Sequence, residues 1–198
     1  DLTPEMLQAA RRNAIASGIA PAGFIAADAE ALPLADRCVS LLTCRIAPHH
    51  FADPAAFVRE VARVLEPGGR FLLIDSLSPA DHELDELVNE LERRRDTSHV
   101  RSYTLAEWCG FLAAAGLRVE RVEVIDRRHE WEDWTVRSGM SEAARDALAR
   151  WLLGQERLCR FLDVEFDRGS IRSFRDDKVL ILASSPKLRP QAVPRPEG

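Results

Sequence analysis

Two adjacent histidines, His49 and His50, close the run Cys44-Arg45-Ile46-Ala47-Pro48-His49-His50-Phe51. An imidazole gains or loses its proton near neutral pH, so either ring could act as a general base or acid. The structural alternative is that one ring packs and the other hydrogen-bonds a loop carbonyl, and for each histidine this is the favoured reading. Carboxylates recur beside apolar runs, at Asp1, Asp28 and Asp75. A carboxylate accepts on two oxygens, so it can hold a pair of hydroxyls or an amino group. Arg45 follows an apolar run and could meet an anion or pair with a surface acid.

Other chemistries lack their residues. Cys38, Cys44, Cys109 and Cys159 form no CxxC pair, and no histidine spacing completes a zinc site, so no metal is expected. Unpaired thiols suit a reduced, cytoplasmic protein. There is no signal peptide, and no apolar run approaches the roughly 20 residues of a membrane span, so no membrane partner is expected. The net charge is -5. Arg93-Arg94-Arg95 sits beside Glu90, Glu92 and Asp96 and reads as a solvated helix end, so nucleic acid is not an expected partner. The 198 residues, 46% of them hydrophobic, suffice for one domain with a real core.

The elements that must position these residues follow from periodicity. Thr3-Pro4 opens a helix with Met6, Leu7, Ala10 and Ala14 on one face. Residues 24–27 read as a short strand, and residues 39–44 as a strand buried on both faces. Asp53-Pro54 starts a second helix, and Pro67-Gly68-Gly69 is a stop before a strand over residues 70–75. Residues 81–95 form an amphipathic helix, and Thr104 with Glu107 makes a capping box for the next one. Residues 117–125 read as a near-edge strand, 141–161 as one helix and 178–184 as a last strand. Strands alternating with helices predict an α/β fold with a mostly parallel sheet, whose ligands bind beyond the carboxyl ends of the strands.

Read in order, the chain shows D-L-T-P-E-M-L, A-D-A-E-A-L-P-L, C-R-I-A-P-H-H-F-A-D-P and R-V-L-E-P-G-G-R-F-L-L-I-D. This set resembles the class I S-adenosylmethionine (SAM)-dependent methyltransferases related to the ubiquinone/menaquinone-biosynthesis enzymes, the methyltransferase type 11 group. The resemblance is strong over residues 1–75 and weaker to about Met140. It implies a Rossmann-like fold with an antiparallel last strand, SAM as cofactor and a small-molecule methyl acceptor. Residue by residue, it implies that Asp1 takes the ribose hydroxyls and that Leu2 lies against the adenine. Asp28 would accept from the adenine amino group, the Ala29 amide would donate to an adenine ring nitrogen, and Arg45 would stand near the methionine end. Asp75 and Asp81 could line the acceptor pocket. The usual Phe-Asp pair before the fourth strand is Cys38-Val39 here, and Pro48 replaces an alanine.

The resemblance also implies that a glycine-rich segment, the first strand and most of the second precede Asp1. The domain is expected over residues 1–185, with a variable acceptor-side insertion at 126–177 holding Trp131, Trp134 and Trp151, and a disordered proline-rich tail at 186–198. Remaining strands are expected in the order 4-5-7-6, with the last strand antiparallel between its neighbours. Two alternatives stand beside this reading: a nicotinamide-dependent oxidoreductase on a similar fold, and a truncated, cofactor-free remnant acting as an interaction module. Neither the methylated atom nor the oligomeric state is legible.

Overall fold

The computed structural model describes residues 2–20 and 23–187. Asp1 and residues 188–198 of the tail lie outside the described residues. In chain order the elements are α1 (Pro4–Ala16), β1 (Val39–Arg45), α2 (Pro54–Val64), β2 (Leu65–Ser78), α3 (His82–Arg95), β3 (Tyr103–Thr104), α4 (Leu105–Ala114), β4 (Arg118–Glu130), α5 (Trp131–Val136), α6 (Glu142–Leu153), α7 (Glu156–Phe161), β5 (Glu165–Asp167) and β6 (Ser170–Ser184).

The sheet runs β1-β2-β6-β4. β1 and β2 are parallel, and β6 is antiparallel to both β2 and β4. β1, β2 and β4 therefore point one way with the last strand reversed between them, as the family resemblance implies. Helices α2 and α4 roof one face. Phe57, Val58 and Val61 of α2 and Trp108 and Leu112 of α4 pack on Phe71, Leu73, Val179, Ile181 and Ala183.

Local sequence sets the helix starts. The Asp53 carboxylate accepts the Ala56 N–H at 2.9 Å, and Pro54 takes the first helical position of α2. Asp81 caps α3 through the Leu84 N–H at 3.1 Å. Thr104 and Glu107 form the expected capping box: Glu107 N–H donates to Thr104 Oγ1 at 3.2 Å and Thr104 N–H to Glu107 Oε2 at 2.8 Å.

Several elements depart from expectation. Pro67-Gly68-Gly69 is no stop but a bulge inside β2, with Val39 opposite Leu65 and Leu41 already opposite Arg70. Gly68 has φ +80°, open only to glycine at low cost, and a Cβ on Gly69 would lie 2.9 Å from the Glu66 carbonyl oxygen. Residues 24–27 belong to no strand, with Ile25 56% exposed, because a segment on its own has no ladder to join. No residue of α1 is buried. The 39–44 run is covered on one face only: Leu42 and Cys44 meet the α2–α4 core while Leu41 is 59% exposed.

The 141–161 helix breaks at Gly154-Gln155 into α6 and α7, which lets Leu148, Leu152, Leu158 and Leu162 converge on a second core. That core also takes Leu91, Trp131, Trp134, Ile171 and Phe174. It stands on a two-stranded extension, where residues 126–130 of β4 pair with 173–177 of β6. This extension carries α5 to the carboxyl ends of β1 and β2, across one cavity from Ile46 and Ser76, while α6 and α7 pack on α3.

Candidate functional site

The chain leaves β1 at Arg45 and turns at Ile46, whose φ is +51°. A β-branched residue pays strain there, and such strain collects at functional turns. The turn is pinned by the Ile46 N–H donating to the Ile74 carbonyl at 2.8 Å. A single 3-10 turn, Pro48–His50, follows. It aims His49 at the end of β2, where Nδ1 donates to Asp75 Oδ1 at 2.6 Å. The two side chains are 12% and 1% exposed. A carboxylate accepting from Nδ1–H fixes the tautomer and leaves the Nε2 lone pair as the basic atom. Nε2 has no hydrogen-bond partner among the described residues. Asp75 Oδ2 is buried and likewise unpaired, the kind of exception that marks a working group.

His50 does something different. It is exposed, and its Nδ1 donates to the Ser98 carbonyl at 3.0 Å. The two rings lie 4.1 Å apart and tilted.

The segment after α3 holds this turn. The His49 carbonyl accepts from the Val100 N–H at 2.9 Å and the Arg101 N–H at 3.1 Å. Asn89 of α3 anchors that segment: its Nδ2 donates to Asp85 Oδ1 and the Ser102 carbonyl, and its Oδ1 accepts from the Ser102 N–H at 2.7 Å. Ser78 Oγ donates to Asp85 Oδ1, and Arg101 reaches Asp85 Oδ2 at 2.9 Å. His99 Nε2 donates to Asn89 Oδ1 at 3.1 Å, and its ring lies 5.5 Å from that of His49. Burial first, then the charges of His49, His50 and Arg93, push His99 down to about 3, so it is neutral. Burial, helped by the Asp75 charge, pushes the Cys44 thiol up to about 12, so it is no nucleophile.

A cavity of about 170 Å³ opens beside His49. Besides His49 it is lined by Ile46 after β1, Ser76 of β2, Glu92 and Arg95 of α3, Arg127 and His129 of β4, Trp134 and Arg137 at α5, and Lys178 of β6. Lys178 Nζ donates to Ser76 Oγ at 2.8 Å and Asp176 Oδ2 at 2.7 Å, and His129 Nε2 meets Asp176 Oδ1 at 2.9 Å. Burial works to raise Asp176, but His129 and Lys178 outweigh it and hold the carboxyl below its usual range. The Arg95 guanidinium lies 4.5 Å from the Trp134 ring centroid. Trp131 and Trp134 are thus core residues of the α5–α7 unit, and of the tryptophans only Trp134 reaches the cavity.

The positions assigned to a cofactor are less gathered. Asp1 lies outside the described residues, and Leu2 is 67% exposed. Asp28 is exposed, and its Oδ1 accepts the Glu30 N–H at 2.8 Å. Ala29 packs against the main core, and its N–H donates to nothing among the described residues. A carboxylate acceptor and a free amide donor therefore sit side by side, which fits the edge of an adenine. Glu30 Oε1 accepts the Asp53 N–H at 2.9 Å and so ties this turn to the loop after β1. Arg63 fastens the following residues by donating to the Leu32 and Leu34 carbonyls. Arg45 ends β1 exposed and unpaired among the described residues.

Asp75 was visible in the sequence as a pocket residue, but not as the partner of His49, 26 positions away. Lys178, Arg127 and Arg137 carried no signal, because each falls in a stretch whose only pattern is alternation or helix.

Comparison with known proteins bears on the family and the fold. A family model described as "Methyltransferase domain" matches residues 1–73. The YcgJ protein of Bacillus subtilis strain 168, described as an uncharacterized methyltransferase, is 42% identical over 139 residues, which is 70% of this chain and 55% of the relative. The chain spans little more than half the length of such curated relatives. The solved structure of B. subtilis YcgJ superposes with a TM-score of 0.88 at 34% identity, covering 95% of this chain and 81% of that one. A Bacillus halodurans protein described as a methyltransferase candidate gives a TM-score of 0.90 at 31% identity, over 94% of this chain and 81% of the other. On sequence and on fold, the chain belongs to the class I S-adenosylmethionine-dependent methyltransferases.

Proposed function

We propose that the protein methylates a small-molecule acceptor whose nucleophile must shed a proton, with His49 as the base. The observation that carries this is the His49–Asp75 pair, 2.6 Å long, beside a cavity at the carboxyl ends of the strands. Bound SAM supplies the electrophilic methyl group. Asp1, Leu2, Asp28, Ala29 and Arg45 are the residues proposed to hold it, with Asp28 and Ala29 reading the adenine edge. His49 Nε2 takes the acceptor's proton as the methyl bond forms, and Asp75 keeps Nδ1 protonated and stabilises the imidazolium. His50 is assigned no proton: its ring is turned to the Ser98 carbonyl, and it braces the turn. The α5–α7 unit over residues 126–177 covers the acceptor side, as a lid that excludes water would.

The test uses the full-length gene product, labelled SAM and a panel of acceptors. His49→Ala and Asp75→Asn should each lower turnover by about 10²–10⁴-fold while SAM affinity stays nearly intact. Asp28→Ala should show the opposite split, weakening SAM binding by about 1–3 kcal/mol. If His49→Ala and Asp75→Asn lose activity only in step with their melting temperature, the pair is structural.

A further inference from the structure

The cavity beside His49 carries more positive charge than its neighbours neutralise. Of its four cationic side chains, Arg95 is paired with Glu92 at 3.1 Å and Lys178 with Asp176 at 2.7 Å. Arg127 and Arg137 pair with no carboxylate among the described residues. The Arg137 side chain makes one hydrogen bond, from Nε to the Asp133 carbonyl at 3.1 Å, so the outer edge of its guanidinium is uncommitted. Two unpaired guanidiniums line one small cavity, from β4 and from the end of α5, and an anion bound there would be attracted by both. A planar fork of N–H donors is matched by a carboxylate or a phosphate.

The rest of the lining limits what the anion is attached to. Ile46 adds an apolar side chain and His49 the base, while Trp134 is buried with Arg95 stacked on its ring and Glu92 is engaged by Arg95. About 170 Å³ is less than the roughly 300 Å³ at which drug-sized pockets begin, so the body is compact. We propose that the methyl acceptor is a compact oxyanion, held through its carboxylate or phosphate by Arg127 and Arg137 with its nucleophile turned to His49. This rests on the methyl-transfer reading for the word acceptor, but the anion site stands on the cavity alone. Arg127 and Arg137 are both exposed at the mouth, where they also raise the local concentration of an anionic substrate.

Binding can be read without catalysis, from the change in tryptophan fluorescence of the full-length gene product. The probes are 4-hydroxybenzoate, phenyl phosphate, and the neutral 4-hydroxybenzamide. At least one anion should bind about tenfold tighter than the amide, and the preference between the two anions identifies the group recognised. Arg127→Gln and Arg137→Gln should each remove most of that preference. Both side chains are exposed, so the melting temperature should not move. His49→Gln should leave probe binding in place while abolishing methyl transfer. Equal binding of all three probes, or a preference that survives both arginine substitutions, overturns the proposal. Displacement of the probe by S-adenosylhomocysteine overturns it too, because the guanidiniums would then serve the cofactor's own carboxylate. Anion binding that follows the arginines, with no methyl transfer to any acceptor, would keep the site and sink the catalytic reading instead.

Discussion

The polar side chains around His49 are arranged so that each ring has one task. His49 is oriented by a carboxylate, His50 by a carbonyl, and His99 by the Asn89 amide. The third is the clearest case of a titratable group kept from titrating. Burial and the facing charges of His49, His50 and Arg93, against the weaker pull of Asp96, lower His99 from 6.5 to about 3. The unfolded chain therefore binds a proton at this residue near pH 6.5 that the folded chain refuses until about pH 3. Stability from His99 is fully present above pH 6.5 and is lost as pH falls through that window, with a slope of at most about 1.4 kcal/mol per pH unit. Urea unfolding of the protein and of His99→Gln, compared between pH 4 and 7, should show a flatter profile for the variant. Parallel profiles would mean that His99 does not carry the acid sensitivity. None of this was legible beforehand. His99 lies in a stretch whose sequence marks it only as a weak family likeness, and its burial is created by Asn89 and His49, ten and fifty positions back.

Elements were legible where a short-range rule decided them. Asp53-Pro54, Asp81 and Thr104–Glu107 all start helices where the capping residues stand. Removing one such cap has a predictable cost: Thr104→Ala should destabilise the protein by about 0.5–2 kcal/mol in chemical denaturation. The cavity beside His49 should keep its ligands, since no residue of α4 lines it. Boundaries failed where partners decided them instead. β2 starts five residues earlier than its apolar run because Leu65 reaches across to Val39 through a bulge. β4 and β6 outrun their apolar cores because each supplies the other's hydrogen bonds as far as Glu130 and Ser173. The split between α6 and α7 follows from four leucines that must converge on one point, which a straight helix over 141–161 does not allow.

At the scale of the molecule, the strand order was readable through a family resemblance, and the covering of the sheet was not. Leu41 is 59% exposed, Leu72, Ile74, Leu180 and Leu182 on the sheet are only half-buried, and β1 is an edge strand with no neighbour on its outer side among the described residues. Unpaired edges and bare apolar faces recruit other chains. The 198-residue polypeptide should therefore self-associate as its concentration rises, and Leu41→Lys should shift it toward monomer in light scattering. A monomer at every concentration would show that this face is protected. The second core gathers around Trp134 and Phe174, while Val136, Leu153, Phe161 and Phe166 of the same unit stay exposed.

The hydrogen bonds of the Pro48–His50 turn to residues 98–101 set an order of events. During synthesis the histidines leave the ribosome about fifty residues ahead of the main-chain donors and acceptor that fix them. At the roughly 5–20 residues per second of synthesis, that is an interval of several seconds in which β1 and α2 can exist but the base cannot be aimed. Proton transfer is thus a late property of the chain, acquired only when α3 has docked and brought its trailing segment across, so a prematurely released polypeptide would carry the histidines without their orientation.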